Sequence, residues 1–512
     1  MVGTTSTSHA YVTKLSADGS TSLYSTVLAG TSQDVALAVT VDPTGNAIVT
    51  GLTTSSDFPV SAGVVQPQFT GLQGVYGNVF VTRLDSAGNI IFSTYLGGPG
   101  GDQAKAVRTD SAGNILVAGQ TNSTDFPTTP GSFQSAPMVQ LWNTTPGGFI
   151  SKLTPDGRTL TFSSYVPAGV AALAVSASGE AYLAGSTGAG FPVTQSAPLP
   201  CFGARTDAFV AHLDSEGSLL DATYVGKSGA ANGLSFPGDG SILVASDLAF
   251  SQIRFGGAGW NAPPCISPDV LNAAAFYSNG SVSPGEFVSL TGFGIGPQVG
   301  VTYQPDGQGQ APLELSGVRV LFDGQPAPVI YVQSRQINAL APFELVPGSM
   351  TTITVEYGGA TFGPVTVPVS FGDPGLFRLQ PGVSAQAFAV NEDGTINGPS
   401  NPASPGSVIA LWDTGFGPIS PACAAGGLNP STAVSLAQGF SVEFLEQTPV
   451  LYAGSAPTLL CGVVQINIQV PDHRTAGIQL EPWAVMSSLN STGTGITTDY
   501  WQSFIGSTIF VK

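Results

Sequence analysis

VFVTRLDSAGNIIFSTYLGG, residues 79–98, decides the fold. Its first six residues put Val79, Val81 and Arg83 on one side and Phe80, Thr82 and Leu84 on the other, the period of a β-strand. Asp85-Ser-Ala-Gly88 supplies a tight turn whose glycine tolerates positive φ. Ile91-Phe-Ser-Thr-Tyr95 then returns as a second strand. The first strand recurs as Ala10-Tyr-Val-Thr-Lys-Leu15, Gly148-Phe-Ile-Ser-Lys-Leu153 and Ala208-Phe-Val-Ala-His-Leu213, each with its own turn and return strand. Two more strands complete every unit. Residues 36–41 turn through Asp42-Pro-Thr-Gly45 into residues 47–51, and the equivalents are 104–108 with 115–119, 172–175 with 181–185 and 232–236 with 242–246. Asp57-Phe-Pro59, Asp125-Phe-Pro127 and Gly190-Phe-Pro192 close three units. A tandem unit of four strands, about 60 to 70 residues long, is what a propeller blade requires.

A blade with two apolar faces must be covered on both sides by its neighbours. The innermost strands carry small residues, Ala36 and Ala38, Ala104 and Ala106, Ala172 and Ala174, which suit the crowding near an axis. The pattern from Phe80 to Gly98 joined to Ala104 to Pro127 resembles the bacterial SBBP-type β-propeller repeat. That resemblance covers about residues 5–250 and implies a structural repeat without an activity of its own. The chain enters within the second strand of a blade, since Val2-Gly-Thr-Thr-Ser-Thr-Ser resembles Thr50-Gly-Leu-Thr-Thr-Ser-Ser. The expected closure joins the last two strands to the first blade, giving about four blades over residues 1–256, or a remnant of a larger propeller.

The repeat stops after Cys265 and a duplicated pattern begins. Ser283-Pro-Gly is echoed by Ser404-Pro-Gly, Pro326-Ala-Pro-Val-Ile-Tyr331 by Thr448-Pro-Val-Leu-Tyr452, and Gln336-Ile-Asn338 by Gln465-Ile-Asn467. Short strands with turn signals between them predict two immunoglobulin-like β-sandwich modules, residues 266–373 and 379–512. This half is similar to the Solibacter-type acidobacterial C-terminal domain with modules of the transcription-factor immunoglobulin type. The fold class expected for the whole chain is therefore all-β.

Composition narrows the function. With 14 Lys and Arg against 32 Asp and Glu, the net charge of −18 excludes a nucleic-acid binder, which needs basic residues to displace phosphate counterions. It also disfavours anionic membrane surfaces. No run of apolar residues is long enough for a membrane span, and Met1-Val-Gly-Thr-Thr carries no signal peptide. Low charge, abundant turn residues and an even count of four cysteines point to a secreted or cell-surface chain. Three disulfide connectivities are open, with Cys201–Cys265 and Cys423–Cys461 preferred over the other two and over four free thiols.

No metalloprotease, nucleophile-elbow, phosphate-loop or calcium-loop motif is present. No catalytic residue and no cofactor is expected. His212 stands where the other units have Lys14, Arg83 and Lys152, so it reads as a solvated strand residue. Asp34 and Asp102 recur after Gly-rich loops and are the weak candidates for a cation at the channel mouth, against an ordinary turn or capping role. The long connections between the second and third strands carry Phe69, Tyr76, Phe133, Trp142 and Phe202. Aromatic loops on a rigid scaffold suit a glycan or protein partner, unless those rings only pack their own loops down. The reading is a non-enzymatic binding, adhesion or structural protein. Its alternative is a polysaccharide hydrolase or lyase working at the channel mouth.

Overall fold

A computed structural model describes every residue except 1, 5–8, 137–146, 189, 204–205, 227–228, 237–239, 248, 258–260, 276–277, 279, 308, 380–384, 418–425, 433–438, 444–446, 471–478, 481–482, 490–495, 500–506 and 511–512. The described residues form strands and turns and no helix. They divide into two compact units, with the chain passing from the first to the second between Pro263 and Pro264.

The first unit holds five consecutive antiparallel sheets. Sheet I contains β1 (Val2–Thr4), β2 (Ala10–Leu15) and β3 (Ser22–Leu28). Sheet II contains β4 (Asp34–Val41), β5 (Ala47–Thr53), β6 (Asn78–Leu84) and β7 (Ile90–Leu96). Sheet III contains β8 (Asp102–Thr109), β9 (Ile115–Thr121), β10 (Gly147–Leu153) and β11 (Leu160–Val166). Sheet IV contains β12 (Gly169–Val175), β13 (Ala181–Thr187), β14 (Asp207–Leu213) and β15 (Leu219–Tyr224). Sheet V contains β16 (Ala231–Ser235), β17 (Ile242–Ser246) and β18 (Phe250–Ile253). The inner strands β4, β8, β12 and β16 pack against one another in turn, so the sheets are arranged as blades.

Alternation along each strand serves two neighbours at once. In sheet II, Val49, Phe80 and Leu84 pack with Ala10, Val12 and Leu28 of sheet I. Ile48, Val79 and Val81 turn the other way, onto Val107, Ile115, Val117 and Phe149 of sheet III. Every inner strand of a complete blade also carries a β-bulge, at Ala36/Ala38, Ala104/Ala106 and Val170/Ala172. Opposite each bulge the second strand has a glycine. A Cβ on Gly51 would lie 1.8 Å from the Val35 carbonyl oxygen, on Gly119 2.1 Å from that of Gln103, and on Gly185 1.9 Å from that of Gly169. Only a residue without a side chain fits there.

The closure differs from the four-bladed ring expected. The edge of β17 that was to pair with the first blade is hydrogen-bonded to β18, and β2 pairs with β1 and β3 inside its own sheet. Sheet V is therefore a blade in its own right rather than the missing half of sheet I. The expected alternation of faces and the four-stranded unit hold for sheets II to IV.

The second unit opens with two sheets around a common core. One runs through strands Cys265–Asn272, Phe287–Phe293, Gln336–Leu340, Val329–Gln333 and Val301–Thr302. The other has Gln325–Ala327, Arg319–Phe322, Met350–Tyr357 and Ala360–Pro368. Val288, Leu290, Ile337 and Ala339 from the first meet Val320, Phe322, Ile353 and Val355 from the second. The duplication is visible in the pairing that follows. Val408–Thr414, Val464–Gln469 and Val450–Ser455 lie side by side in the order of their earlier counterparts. Both copies place a bulge at the same landmark, Val329/Tyr331 and Val450/Tyr452. In both, the Gln-Ile-Asn strand forms an amide ladder at 2.9 Å, Gln336 Nε2 to Asn338 Oδ1 and Gln465 Nε2 to Asn467 Oδ1.

The two copies meet through polar groups. Ser283 Oγ donates to the Gly415 carbonyl at 3.1 Å, the Phe287 amide donates to Thr414 Oγ1 at 3.0 Å, and the Asp373 amide donates to the Gly415 carbonyl at 2.7 Å. Three carboxyl groups, Glu286, Asp373 and Asp413, are buried at this junction. Burial raises the Glu286 carboxyl well above its ordinary value, and Asp373 pushes it further. Burial and Asp373 raise Asp413 in the same way. Their protonated forms are thus favoured by folding, so their contribution is most stabilising below about pH 4 and weakens as pH rises beyond it. Urea denaturation of the whole chain from pH 4 to 9 is expected to show the second unit weakening with pH. In Asp413→Asn that slope is expected to be shallower, and an unchanged slope would contradict the assignment.

Candidate functional site

The repeat builds one face of the first unit from loops between outer and next inner strands together with loops between second and third strands. Each Asp-Phe-Pro element is pinned there. The Phe58 amide donates to Tyr95 Oη at 3.1 Å, and Tyr95 Oη donates to the Ser55 carbonyl at 2.9 Å. Phe126, Tyr165 and Ser123 repeat this at 2.7 and 2.9 Å, and the Phe191 amide bonds Tyr224 Oη at 3.2 Å. Burial pushes the Tyr95 hydroxyl up to about 12, so it remains a neutral donor.

Asp34 and Asp102 are buried at the entry of their inner strands. Asp34 accepts from Thr53 Oγ1 at 2.6 Å and the Gly30 amide at 2.9 Å, with His9 Nδ1 at 3.3 Å. Asp102 accepts from Thr121 Oγ1, the Gly98 amide at 2.9 Å, Ser123 Oγ at 3.1 Å and Asn78 Nδ2 at 3.3 Å. His9 and Asn78 belong to the preceding blade, so each acid latches two blades together. Where the fourth blade has Ala168 instead of the acid, the preceding blade has Gly147 instead of the partner. Their oxygens point at protein donors, which is the capping role rather than a cation ring. Among the described residues no group of three His, Cys, Asp or Glu side chains is placed to hold a metal ion.

His212 is a half-buried residue, not a solvated one. It stacks on Tyr182 at 4.1 Å, with Nδ1 3.1 Å from Asp221 Oδ2 and Nε2 3.6 Å from Glu180 Oε2. Two of the equivalent cations pair with acids of their own blade's first turn, Arg83 with Asp42 and Lys152 with Asp110 at 3.0 Å, and also reach the next blade at the Pro155 and Ser215 carbonyls. In the fourth blade the acid has moved from the first to the last position of the turn, to Glu180, and histidine replaces the longer cation.

The five aromatic candidates separate. Phe202 is buried against Tyr224 at 5.6 Å, and the half-buried Phe69 meets Tyr95 edge-on at 5.5 Å. Both pack their own loops down. Phe133 is half-buried, and Trp142 lies outside the described residues. Tyr76 alone of the described four is exposed, at 51%. Its backbone is held by a miniature hairpin, with Leu72 N to Tyr76 O and Tyr76 N to Leu72 O both at 2.9 Å. A Cβ built on Gly101 of the next blade would lie 3.5 Å from the Tyr76 ring.

Tyr76 borders a cleft of about 320 Å³ between sheets II and III. The lining combines Leu52, Thr54, Val75 and Tyr76 from one blade, Gln33 from the loop entering it, and Gly101, Asp102, Gln103, Gln120 and Asn122 from the next. Sequence reasoning did not find the amides, because isolated Gln and Asn at strand ends form no motif. The available signal was positional: Gln33 precedes Asp34, Gln103 follows Asp102, and Gln120 and Asn122 flank Thr121.

The family model of the SBBP β-propeller repeat matches residues 91–127, from the outer strand of sheet II to the Asp-Phe-Pro of sheet III. That stretch is a β-propeller repeat. No curated protein matches the chain in sequence. Among solved structures, Gamma-CGTase from Alkalophilic Bacillus clarkii aligns at 12% identity over 70% of this chain and 37% of its own, with a TM-score of 0.17. A structure titled BspA_C_mut aligns at 11% identity over 49% of this chain and 98% of its own, with a TM-score of 0.13. The chain thus spans little more than a third of the first structure. At such scores neither likeness carries an argument about fold or function.

Burial raises the Asp102 carboxyl to about 6 against four hydrogen bonds that lower it. The protonated form is favoured by the fold, so this residue's contribution to stability falls as pH rises from about 4 to about 6. A shift of roughly two units corresponds to about 3 kcal/mol. Denaturation at pH 4 and pH 7 is expected to show that Asp102→Asn lacks a loss of about this size. An identical pH difference in the two proteins would contradict the latch's buried charge.

Proposed function

We propose that this chain is a secreted or cell-surface binding protein without catalytic chemistry, whose propeller loop face carries the ligand site. The cleft between sheets II and III is the observation that supports this most. It offers an exposed aromatic ring and uncommitted amides on a rigid scaffold, the usual make-up of a recognition site. Glycoside hydrolysis needs two carboxyl groups about 5 to 9.5 Å apart across the substrate. Asp102 is the one acid lining this cleft, and its oxygens are occupied by protein donors. The C-terminal modules, similar to Solibacter-type immunoglobulin modules, are read as spacers or adhesive elements.

An array of glycans probed with the whole chain, run beside a panel of polysaccharide turnover assays, tests this reading. Binding without turnover is expected. Turnover abolished by Asp102→Asn would replace it with the hydrolase or lyase alternative.

The extracellular assignment rests on cysteine chemistry. Cys201, Cys265 and Cys461 are disulfide-bonded, Cys423 lies outside the described residues, and no free cysteine occurs among those described. Such bonds persist in oxidising compartments. Thiol titration of the denatured, unreduced chain is expected to find none of the four cysteines reactive, and all four after reduction. Four reactive thiols before reduction would contradict export.

A further inference from the structure

We infer that the cleft between sheets II and III binds a neutral saccharide, with Tyr76 as the platform for a sugar ring; this rests on the loop-face reading above. The chemistry of the lining selects the ligand class. Gln33, Gln103, Gln120 and Asn122 contribute side-chain amides, and none of the four makes a side-chain hydrogen bond within the described structure, unlike Gln66 and Gln134, whose amides brace their own loops. An amide both donates and accepts, and so does a sugar hydroxyl, whereas a phosphate or carboxylate only accepts and an ammonium only donates. No Lys, Arg or His lines the cleft, so nothing there compensates an anion. The net charge of −18 repels anionic ligands further.

Tyr76 adds the second half of sugar recognition. Its ring is half exposed and lies beside Gly101, whose positive φ (+91°) strains any residue with a side chain. An aromatic face presented by a fixed backbone offers apolar area to the C–H face of a pyranose at low entropic cost. Leu52 and Val75 extend the apolar floor, and Thr54 adds a hydroxyl. The volume, about 320 Å³, sits at the lower end of ligand sites and suits one or two sugar rings rather than a protein loop. Asp102 acts here as a positioning residue, since its oxygens hold the inner strand that presents Gln103.

Isothermal titration of the whole chain with neutral hexasaccharides (gluco-, xylo-, manno- and N-acetylglucosamine series) and with oligogalacturonate tests the inference. At least one neutral series is expected to bind with little dependence on salt. Tyr76→Ala and Gln120→Ala are each expected to weaken it about tenfold or more, and Tyr76→Phe to retain it. Both sites are at the surface, and an unchanged denaturation curve shows that the variants remain folded. Binding of oligogalacturonate alone, or no binding of any series, overturns the inference. Neutral binding that ignores Tyr76→Ala and Gln120→Ala but is lost in Phe133→Ala also overturns it, while leaving the loop face as the site. Binding that survives all of these variants removes both readings.

Discussion

Everything in the first unit depends on one close approach of backbone to backbone. Each complete blade kinks its inner strand with a bulge, and the carbonyl at that kink presses onto a glycine in the next strand, Gly51, Gly119 or Gly185. The bulge increases local twist, and the twist lets small inner strands stand beside one another without their sheets colliding. The Ala pairs at 36 and 38, 104 and 106, and 172 and 174 then keep the axis side thin. With that geometry fixed, side chains alternate onto the two neighbouring blades, and the acid latch and the Asp-Phe-Pro pin tie loops to strands that already exist.

The site follows from the same repetition. Leu52 and Thr54 occupy in one blade the positions that Gln120 and Asn122 occupy in the next. A cleft therefore arises between blades because equivalent residues line both walls, and its character changes wherever one repeat departs from another. Tyr76 joins these walls from a short hairpin in the loop that leads into the third strand. The fourth blade departs further. It exchanges a latch acid for Ala168 and a turn acid for Ser176, and repairs the second loss through Glu180 and His212.

Much of the fold was legible because burial on two faces forces a periodic sequence. The strands of sheets II to IV fall where alternation and Asx-Gly turns put them, and the duplicated landmarks of the second half reappear as equivalent strands with equivalent bulges. The closure was not legible from the strongest repeats. Strand β18, Phe250-Ser-Gln-Ile253, is a weak echo of Phe209-Val-Ala-His212, and Phe250 is exposed where Phe209 is buried. Of the candidate ligand residues, composition could not separate a ring that packs its loop from one that is presented. Phe69 and Phe202 meet a tyrosine of the outer strand, whereas Tyr76, on the same loop as Phe69, closes a short hairpin that leaves its ring exposed.

The bulge-and-glycine approach is tested most directly by measuring the stability of Gly119→Ala against Gly257→Ala, since a Cβ on Gly257 would meet nothing within 4 Å. The account predicts that Gly119→Ala lowers the first unfolding transition by at least about 3 kcal/mol, because backbone rather than a flexible side chain must give way. Gly257→Ala should leave it within about 0.5 kcal/mol of the parent. Equal stability of the two variants would contradict the claim that this contact holds the blades in place.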